Sequence, residues 1–419
     1  MTPVLADPIV FIGGGIGSIT AIESLRERGY DGQIVLVTGE EHMPYDRPPL
    51  SKDVLLGKAP EGVLLRPKEF YATNDVELRL GARAAVLEPD SMTVVDEEGG
   101  RTRAGTIVLA TGGEPRTLPL PGAEMDGVCV LRTLDDASDL GARLGPGVRL
   151  VVIGGGFIGT EVAAAGIIRG ADVTLLEAQP MPLQAVLPEL ASYVVDHHRS
   201  RGVRIRTGVV VERFTGSGAV EGVRLSDGEI VPSDVVVVGV GMRPLDGLAA
   251  EAGLDVGNGV HVDRHGRTSH PHIYAIGDVA NVADERGGRR RIEHWRAALD
   301  AGHALAGHLL GSEPGPVSVP WFWSDQFDLN IQMAGHPTAG DDRVIRGDPQ
   351  ELRSTVLFHR HGRLTGVAAL NSGRNVRPAT DLIRAGIEVP LPLLADMDTD
   401  LPKLAKSLLR ELPPDRRRS

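Results

Sequence analysis

The chain has 419 residues, more than one hydrophobic core can organise, and 42% of them are hydrophobic, enough for two or three packed domains. Its formal net charge of −12 weighs against non-specific nucleic-acid binding, and its single cysteine, Cys129, excludes an intramolecular disulfide, a C-x-x-C redox pair and a cysteine zinc site. No apolar run reaches the roughly 18 residues that a membrane span needs, and no basic leader precedes the first strand, so a cytoplasmic protein is expected.

Ile9-Val10-Phe11-Ile12 reads as a buried strand that runs into Gly13-Gly14-Gly15-Ile16-Gly17-Ser18 and then a helix ending near Gly29. In a G-x-G-x-x-G turn the first glycine permits the tight bend and the second lets backbone approach a pyrophosphate. The third lets helix pack on strand, so a diphosphate lands at the helix's positive N-terminus. Here Ser18 holds the third glycine's place. The next strand, Gln33 to Val37, ends in Gly39-Glu40-Glu41; either glutamate could hold an adenosine ribose, and Glu40 is favoured. Pro44 to Lys52 carries paired prolines suited to the first turn of a helix and places Arg47 and Lys52 beside the nucleotide turn, although a solvated helix start explains the same charges.

A short alternating-strand region, Arg79 to Val95, precedes the strand Thr106 to Ala110, which exits through Thr111-Gly112-Gly113 and so leaves room for a cofactor. Arg132-Thr133-Leu134-Asp135-Asp136 then opens a helix. The central segment Val151-Val152-Ile153-Gly154-Gly155-Gly156-Phe157-Ile158-Gly159-Thr160-Glu161 repeats the strand, turn and helix with all three glycines in place. A second strand ends in Glu177, about 20 residues after the first glycine, where a carboxylate accepts from a ribose 2′-OH and repels a 2′-phosphate. NADH is therefore expected over NADPH. Asp234 to Val238 followed by Gly239-Val240-Gly241-Met242-Arg243-Pro244 repeats the earlier strand-then-glycine exit, so the chain holds a repeat of whole domains.

Ile273 to Asp278 is a third such exit, in which Asp278 can hold a polyol hydroxyl, cap a helix or do both. The densest basic cluster outside the terminal Arg416-Arg417-Arg418 follows: Arg286, Arg289, Arg290, Arg291 and Arg296 around Trp295. A helix from Arg296 to Leu310 leads to a linker at Pro314-Gly315-Pro316. From Pro320 short strands (Arg343 to Arg346, Ser354 to His359, Arg363 to Leu370), a helix from Ala379 and an amphipathic helix after Asp400 read as an α+β domain. The three tryptophans fall at Trp295, Trp321 and Trp323.

Taken in order, Pro44 to Lys52, Ala110-Thr111-Gly112, Leu131 to Leu134, Val152 to Glu161, Ile276-Gly277-Asp278 and Trp321 to Gln326 resemble the FAD-dependent NADH:ferredoxin reductases of bacterial oxygenase systems, over nearly the whole chain. The resemblance implies an α/β chain with two Rossmann-like, glutathione-reductase-type nucleotide-binding domains and a C-terminal α+β domain. The FAD-binding domain would be discontinuous, 1–115 and 245–317, with the NADH-binding domain at 116–244 and the C-terminal domain at 318–419. It assigns FAD to Gly13, Gly15, Gly17, Ser18, Glu40, Arg47, Lys52, Ala82, Thr111, Gly112, Arg132, Asp278, Trp295 and Trp323. It assigns NADH to Gly154, Gly156, Ile158, Gly159, Glu161, Glu177 and Gly241, and it puts Lys52 near the flavin N5 and Glu161 at the nicotinamide carboxamide.

The implied activity passes electrons from NADH through FAD to a 2Fe-2S ferredoxin that supplies a cytochrome P450 or Rieske-type oxygenase, with no metal held by the chain itself. Charge alone adds that an acidic ferredoxin meeting a protein at −12 needs a local positive field, for which Arg289, Arg290 and Arg291 are the candidates. Two other readings stay open. A disulfide or peroxide reductase of the same fold needs a redox cysteine near the flavin. An NADH-sensing flavoprotein similar to apoptosis-inducing factor would turn over slowly.

Overall fold

The computed structural model describes residues 8–283, 288–312 and 319–412; Arg286, the expected linker Pro314-Gly315-Pro316 and the terminal Arg416, Arg417 and Arg418 lie outside the described residues. The chain forms two compact units. One comprises the described residues of Met1–Arg47, Gly62–Glu114 and Met242–Pro316, the other those of Pro48–Glu61, Pro115–Gly241 and Val317–Ser419.

The first unit is built on five parallel strands in the order Ile273–Ala275, Thr106–Leu109, Ile9–Ile12, Ile34–Val37, Val76–Arg79. The middle three are buried at every position and apolar at all but Thr106, as a parallel sheet covered on both faces requires. One face packs on helices Ile16–Glu27 and Trp295–Leu309, where Ile19, Ile22, Leu25 and Leu305 meet Ile9, Phe11 and Leu36. The two helices approach closely because a Cβ on Gly302 would overlap the Gly17 carbonyl. A small antiparallel sheet, Ala84–Glu88, Thr93–Asp96 and Arg101–Arg103, accompanies it.

The second unit repeats this plan. Its parallel sheet runs Arg204–Thr207, Asp172–Glu177, Arg149–Ile153, Val235–Val238, Val128–Cys129, with the glycine-turn strand again in the centre. The antiparallel partner is Val211–Ser217, Ala219–Leu225 and Ile230–Pro232. To this the C-terminal part adds a five-stranded antiparallel sheet, ordered Trp321–Gln326, Leu329–Gly335, Arg363–Leu370, Arg353–Arg360, Asp342–Asp348. Leu187, Leu190 and Val194 beside helix Ala191–Ser200 form one core with Leu329, Ile331, Val356 and Phe358 of that sheet.

The last helices run Val376–Ala385 and Leu401–Arg410. The first begins three residues before the expected Ala379 because Pro378 fits in the opening turn, where a missing N–H costs nothing. Among the described residues no helix is long and apolar enough to cross a membrane.

Candidate functional site

In the first unit Gly13 adopts φ +110, and a Cβ there would overlap the Ala110 carbonyl, so the exit Ala110-Thr111-Gly112 closes on the glycine turn with no side chain between. Nothing lies within 4 Å of where a Cβ on Gly15 would sit. The helix starting there has no side-chain cap and no acid in its first turn, which leaves its first N–H groups and its positive end for an anion. These residues fit an FAD diphosphate. Ser18 Oγ donates to the Gly13 carbonyl at 2.6 Å, so the hydroxyl is absorbed inside the turn and serine serves in glycine's place.

Around that turn Glu40 accepts from Arg47 at 2.7 Å and from the Tyr45 hydroxyl at 2.5 Å. Ala82 packs on the core beside Gly81, whose N–H donates to the Glu40 carbonyl at 3.0 Å. The Thr111 hydroxyl donates to the Leu245 carbonyl at 2.7 Å. Asp278 is half-buried inside a 3-10 turn, Gly277–Val279, whose N-cap is Ile276, so the helix-cap alternative for Asp278 falls away. Trp295 opens helix Trp295–Leu309 and its indole N–H donates to Asp46 at 2.7 Å.

The arginine cluster divides. Arg289 and Arg290 are exposed on a two-residue strand, with Arg289 donating to the Asn281 carbonyl at 2.9 Å. Arg291 turns inward: its side chain is 9% exposed, pairs with Glu293 and donates to the Asp278 carbonyl and to Asn258. As a docking charge Arg291 is corrected to a structural one.

In the second unit Gly154 adopts φ +102, and a Cβ on Gly159 would overlap the Gly154 carbonyl. Gly156 again faces open space, and helix Phe157–Ile168 again lacks a side-chain cap and a first-turn acid. Glu177 accepts from the Gly155 N–H at 2.6 Å and from the Gln179 N–H at 2.7 Å, which fixes the carboxylate beside the turn. This is the donor set an NADH diphosphate and ribose require. Ile158 is 46% exposed at the helix start. Gly241, at φ +98, accepts from the Arg116 N–H at 2.8 Å. The Arg132 and Thr133 N–H groups both donate to Asp136 at 2.9 Å, and Thr133 caps helix Leu134–Arg143 in a capping box. Trp323 stacks on Trp321 with ring centres 5.1 Å apart.

Lys52 and Glu161 come together. Lys52 Nζ lies 2.7 Å from Glu161 Oε2, with the two side chains 17% and 3% exposed. Residues Leu50–Val54 form a π-helical turn, and neighbouring Ser51 and Lys52 both donate to that one carboxylate oxygen. Ser324 Oγ donates to the other oxygen at 2.5 Å. Sequence reasoning quoted Ser324 and Gln326 without giving them a role and missed Ser51 and His198. The available signal was the alternation in Trp321 to Gln326, which puts two polar residues, Ser324 and Gln326, on a buried face with Phe322.

His198 closes this polar group, with its Nε2 2.7 Å from Gln326 Oε1. Burial pushes its imidazole down from 6.5 to about 4. Between those values the unfolded chain takes up the proton that the folded one refuses. The contribution to stability is therefore complete above pH 6.5 and is lost as pH falls toward 4, by up to about 3 kcal/mol. Urea unfolding of wild type at pH 7 and pH 4.5 should show this loss, and His198→Gln should show less of it.

Cys129 lies on strand Val128–Cys129, and its thiol donates to the Val236 carbonyl at 3.2 Å. Burial pushes the thiol up to about 12, so at neutral pH it is not a thiolate and cannot serve as a redox nucleophile.

The family model described as pyridine nucleotide-disulphide oxidoreductase matches residues 7–302, and that of the reductase C-terminal region matches residues 321–405. The chain is 39% identical to the anthranilate 1,2-dioxygenase system ferredoxin–NAD(+) reductase component of Burkholderia cepacia, over 93% of this chain and 97% of that one. It is 37% identical to rhodocoxin reductase of Rhodococcus erythropolis, over 95% and 94%. Among solved structures it superposes on the covalent putidaredoxin reductase–putidaredoxin complex with a TM-score of 0.91 at 34% identity, over 95% of this chain and 98% of that chain. The two glycine turns, the sheets that carry them and this likeness along almost the whole length agree: the chain belongs to the pyridine nucleotide-disulphide oxidoreductase family, among the FAD-dependent ferredoxin reductases of bacterial oxygenase systems.

Proposed function

We propose that this protein is a cytoplasmic flavoprotein that passes electrons from NADH through FAD to a 2Fe-2S ferredoxin serving an oxygenase. The observation that carries the reading is the pair of open glycine turns, each at an uncapped helix N-terminus with no acid in its first turn. Two dinucleotides fit, one resident and one exchanged. What FAD supplies when bound is the exchange between a two-electron donor and one-electron acceptors.

The side chains have separate tasks. Gly13, Gly15 and Gly17, with Ser18, give the FAD diphosphate backbone donors. Thr111, Gly112, Arg132, Asp278, Trp295 and Trp323 are its further contacts by family likeness. Gly154, Gly156 and Gly159 do the same for NADH. Lys52, held by Glu161, keeps a positive charge in a mostly buried position, where it stabilises negative charge gained on reduction. No nucleophile is needed, which accords with the half-buried Cys129, whose thiol is pushed up to about 12.

The purified protein should be yellow and should reduce cytochrome c with NADH once a suitable ferredoxin is added. A folded, colourless preparation that takes up no FAD overturns the reading. Slow turnover with a long-lived reduced complex turns it toward a sensor.

Glu177 sets the choice of nucleotide. A carboxylate pinned by Gly155 and Gln179 cannot swing away from a 2′-phosphate, so NADH should be preferred. Glu177→Ala should narrow the ratio of kcat/KM for NADH over NADPH by about tenfold or more, the cost of one close like-charge contact. Equal kcat/KM for both nucleotides in wild type would remove that role.

For docking, Arg289 and Arg290 present the charge that an acidic ferredoxin needs. Reversing both to Glu should raise the KM for ferredoxin and flatten its salt dependence, while NADH-driven reduction of ferricyanide stays unchanged. Wild-type ferredoxin kinetics in the double variant at low ionic strength would move the docking face elsewhere.

A further inference from the structure

A polar chain runs from Glu161 into the interior of the second unit. Ser324 Oγ lies 2.5 Å from Glu161 Oε1, Gln326 Nε2 lies 2.9 Å from Ser324 Oγ, and His198 Nε2 lies 2.7 Å from Gln326 Oε1. Ser324 and Gln326 are fully buried and His198 is 1% exposed.

The direction of every proton in this chain follows from its first member. An ionised carboxylate only accepts, so the one hydroxyl hydrogen of Ser324 goes to Glu161. Ser324 must then accept from the Gln326 amide N–H, which leaves Gln326 Oε1 as an acceptor for His198. His198 therefore carries its hydrogen on Nε2, and its Nδ1, buried without a hydrogen-bond partner among the described residues, stays unprotonated. All donors point toward Glu161.

The strand that bears Ser324 and Gln326 is fastened at its tip. The two-residue turn Phe327-Asp328 joins it to Leu329, and Phe327 takes φ +55, a conformation costly for a bulky L residue. Contacts hold it there. The Phe327 ring lies 5.1 Å from that of His198 and under the Arg201 guanidinium, while Asp328 accepts from His197 at 2.8 Å and from Arg201 at 2.7 Å.

We propose that Ser324, Gln326 and His198 are positioning residues for NADH oxidation: their one-way donor chain fixes the rotamer of Glu161. This rests on the NADH-reductase reading. Lys52 is the charged side chain bonded to Glu161; at the far end the titratable and charged neighbours are His197, Asp328 and Arg201. Because burial holds the His198 imidazole down to about 4, the chain keeps its direction at neutral and mildly acidic pH.

Ser324→Ala removes a donor to Glu161 and leaves Gln326 Nε2 without an acceptor. Gln326→Glu is isosteric but replaces a donor by an acceptor, so the Ser324 hydroxyl faces two carboxylates and can serve one. In stopped-flow reduction of the bound flavin by NADH, each variant should lose about ten- to a hundredfold in rate, the factor expected for one hydrogen bond to a charged group. The dissociation constant for NAD+, measured by calorimetry, should change less than the rate, because the variants disturb the orientation of Glu161 and leave the glycine turn intact.

An independent arm needs no variant. Ring nitrogen shifts of His198 in labelled wild-type holoprotein should report a neutral Nε2–H tautomer from pH 8 to pH 5. An Nδ1–H tautomer, or Ser324→Ala rates equal to wild type, overturns the proposal. Should wild-type holoprotein fail to be reduced by NADH, the functional reading falls, and the tautomer still decides whether the donor chain exists.

Discussion

Replacing Glu161 with Ala should slow flavin reduction by NADH about hundredfold and destabilise the second unit by about 3 kcal/mol. The size of the effect comes from what is left behind. Lys52, Ser51 and Ser324 all donate to this one carboxylate, and the Lys52 ammonium, with its side chain 17% exposed, would keep its charge with little water to replace the partner. Lys52→Ala should be milder in stability, because Glu161 would retain two hydroxyl donors. It should still slow reduction more than it weakens FAD retention, since the buried charge itself is lost. Stopped-flow bleaching by NADH and urea unfolding, run on both variants, separate the two effects. Equal stability losses would mean that the hydroxyl donors do not support the carboxylate, and an unchanged reduction rate in Lys52→Ala would leave that lysine a structural partner of Glu161 with no part in reduction.

Matched substitutions in the two glycine turns should disable the two nucleotide sites independently. At Gly13 a Cβ overlaps the Ala110 carbonyl and the backbone sits at φ +110, so Gly13→Ala must open the turn proposed to receive FAD. The expected product is a folded, largely colourless protein. At Gly159 a Cβ overlaps the Gly154 carbonyl, so Gly159→Ala pushes the helix off its strand. This variant should remain yellow, with a KM for NADH raised about ten- to a hundredfold, the range for an overpacked contact of 1–3 kcal/mol. Flavin absorbance after gel filtration and NADH titration distinguish the two outcomes. Loss of flavin from Gly159→Ala, with Gly13→Ala unaffected, would reverse the assignment of the two turns.

The parallel sheets and glycine turns were legible because their signals are local. Runs such as Ile9 to Ile12 and Val151 to Ile153 can only be buried strands, and the glycines beside them mark where the backbone must bend or be approached. Lys52 and Glu161 entered through family likeness; nothing in their spacing says that they meet. Their meeting depends on the Leu50–Val54 turn and the Trp321–Gln326 strand converging on one helix, which residue patterns do not encode at such separations. Ser324, Gln326 and His198 were hidden for the same reason, since a buried serine reads like any turn serine until its partners are placed. Arg291 shows the converse: a run of arginines reads as a uniform patch, yet one of them is drawn inward by Glu293, Asn258 and the Asp278 carbonyl.

The segmented make-up of the first unit bears on the order in which the protein assembles. Its sheet gains its last strand from Ile273–Ala275, and Gly17 of helix Ile16–Glu27 receives its closest neighbour, Gly302, from a helix that ends at Leu309. The parallel sheet of the second unit is drawn from the uninterrupted stretch 128–238. On the ribosome the glycine turn of the second unit can thus form while that of the first still waits for distant chain, and loop closure over that separation makes the first unit the slow, high-contact-order step. The nascent chain spends that interval with Ile9 to Ile12 and Ile34 to Val37 exposed, and these are the strands a chaperone would have to shield.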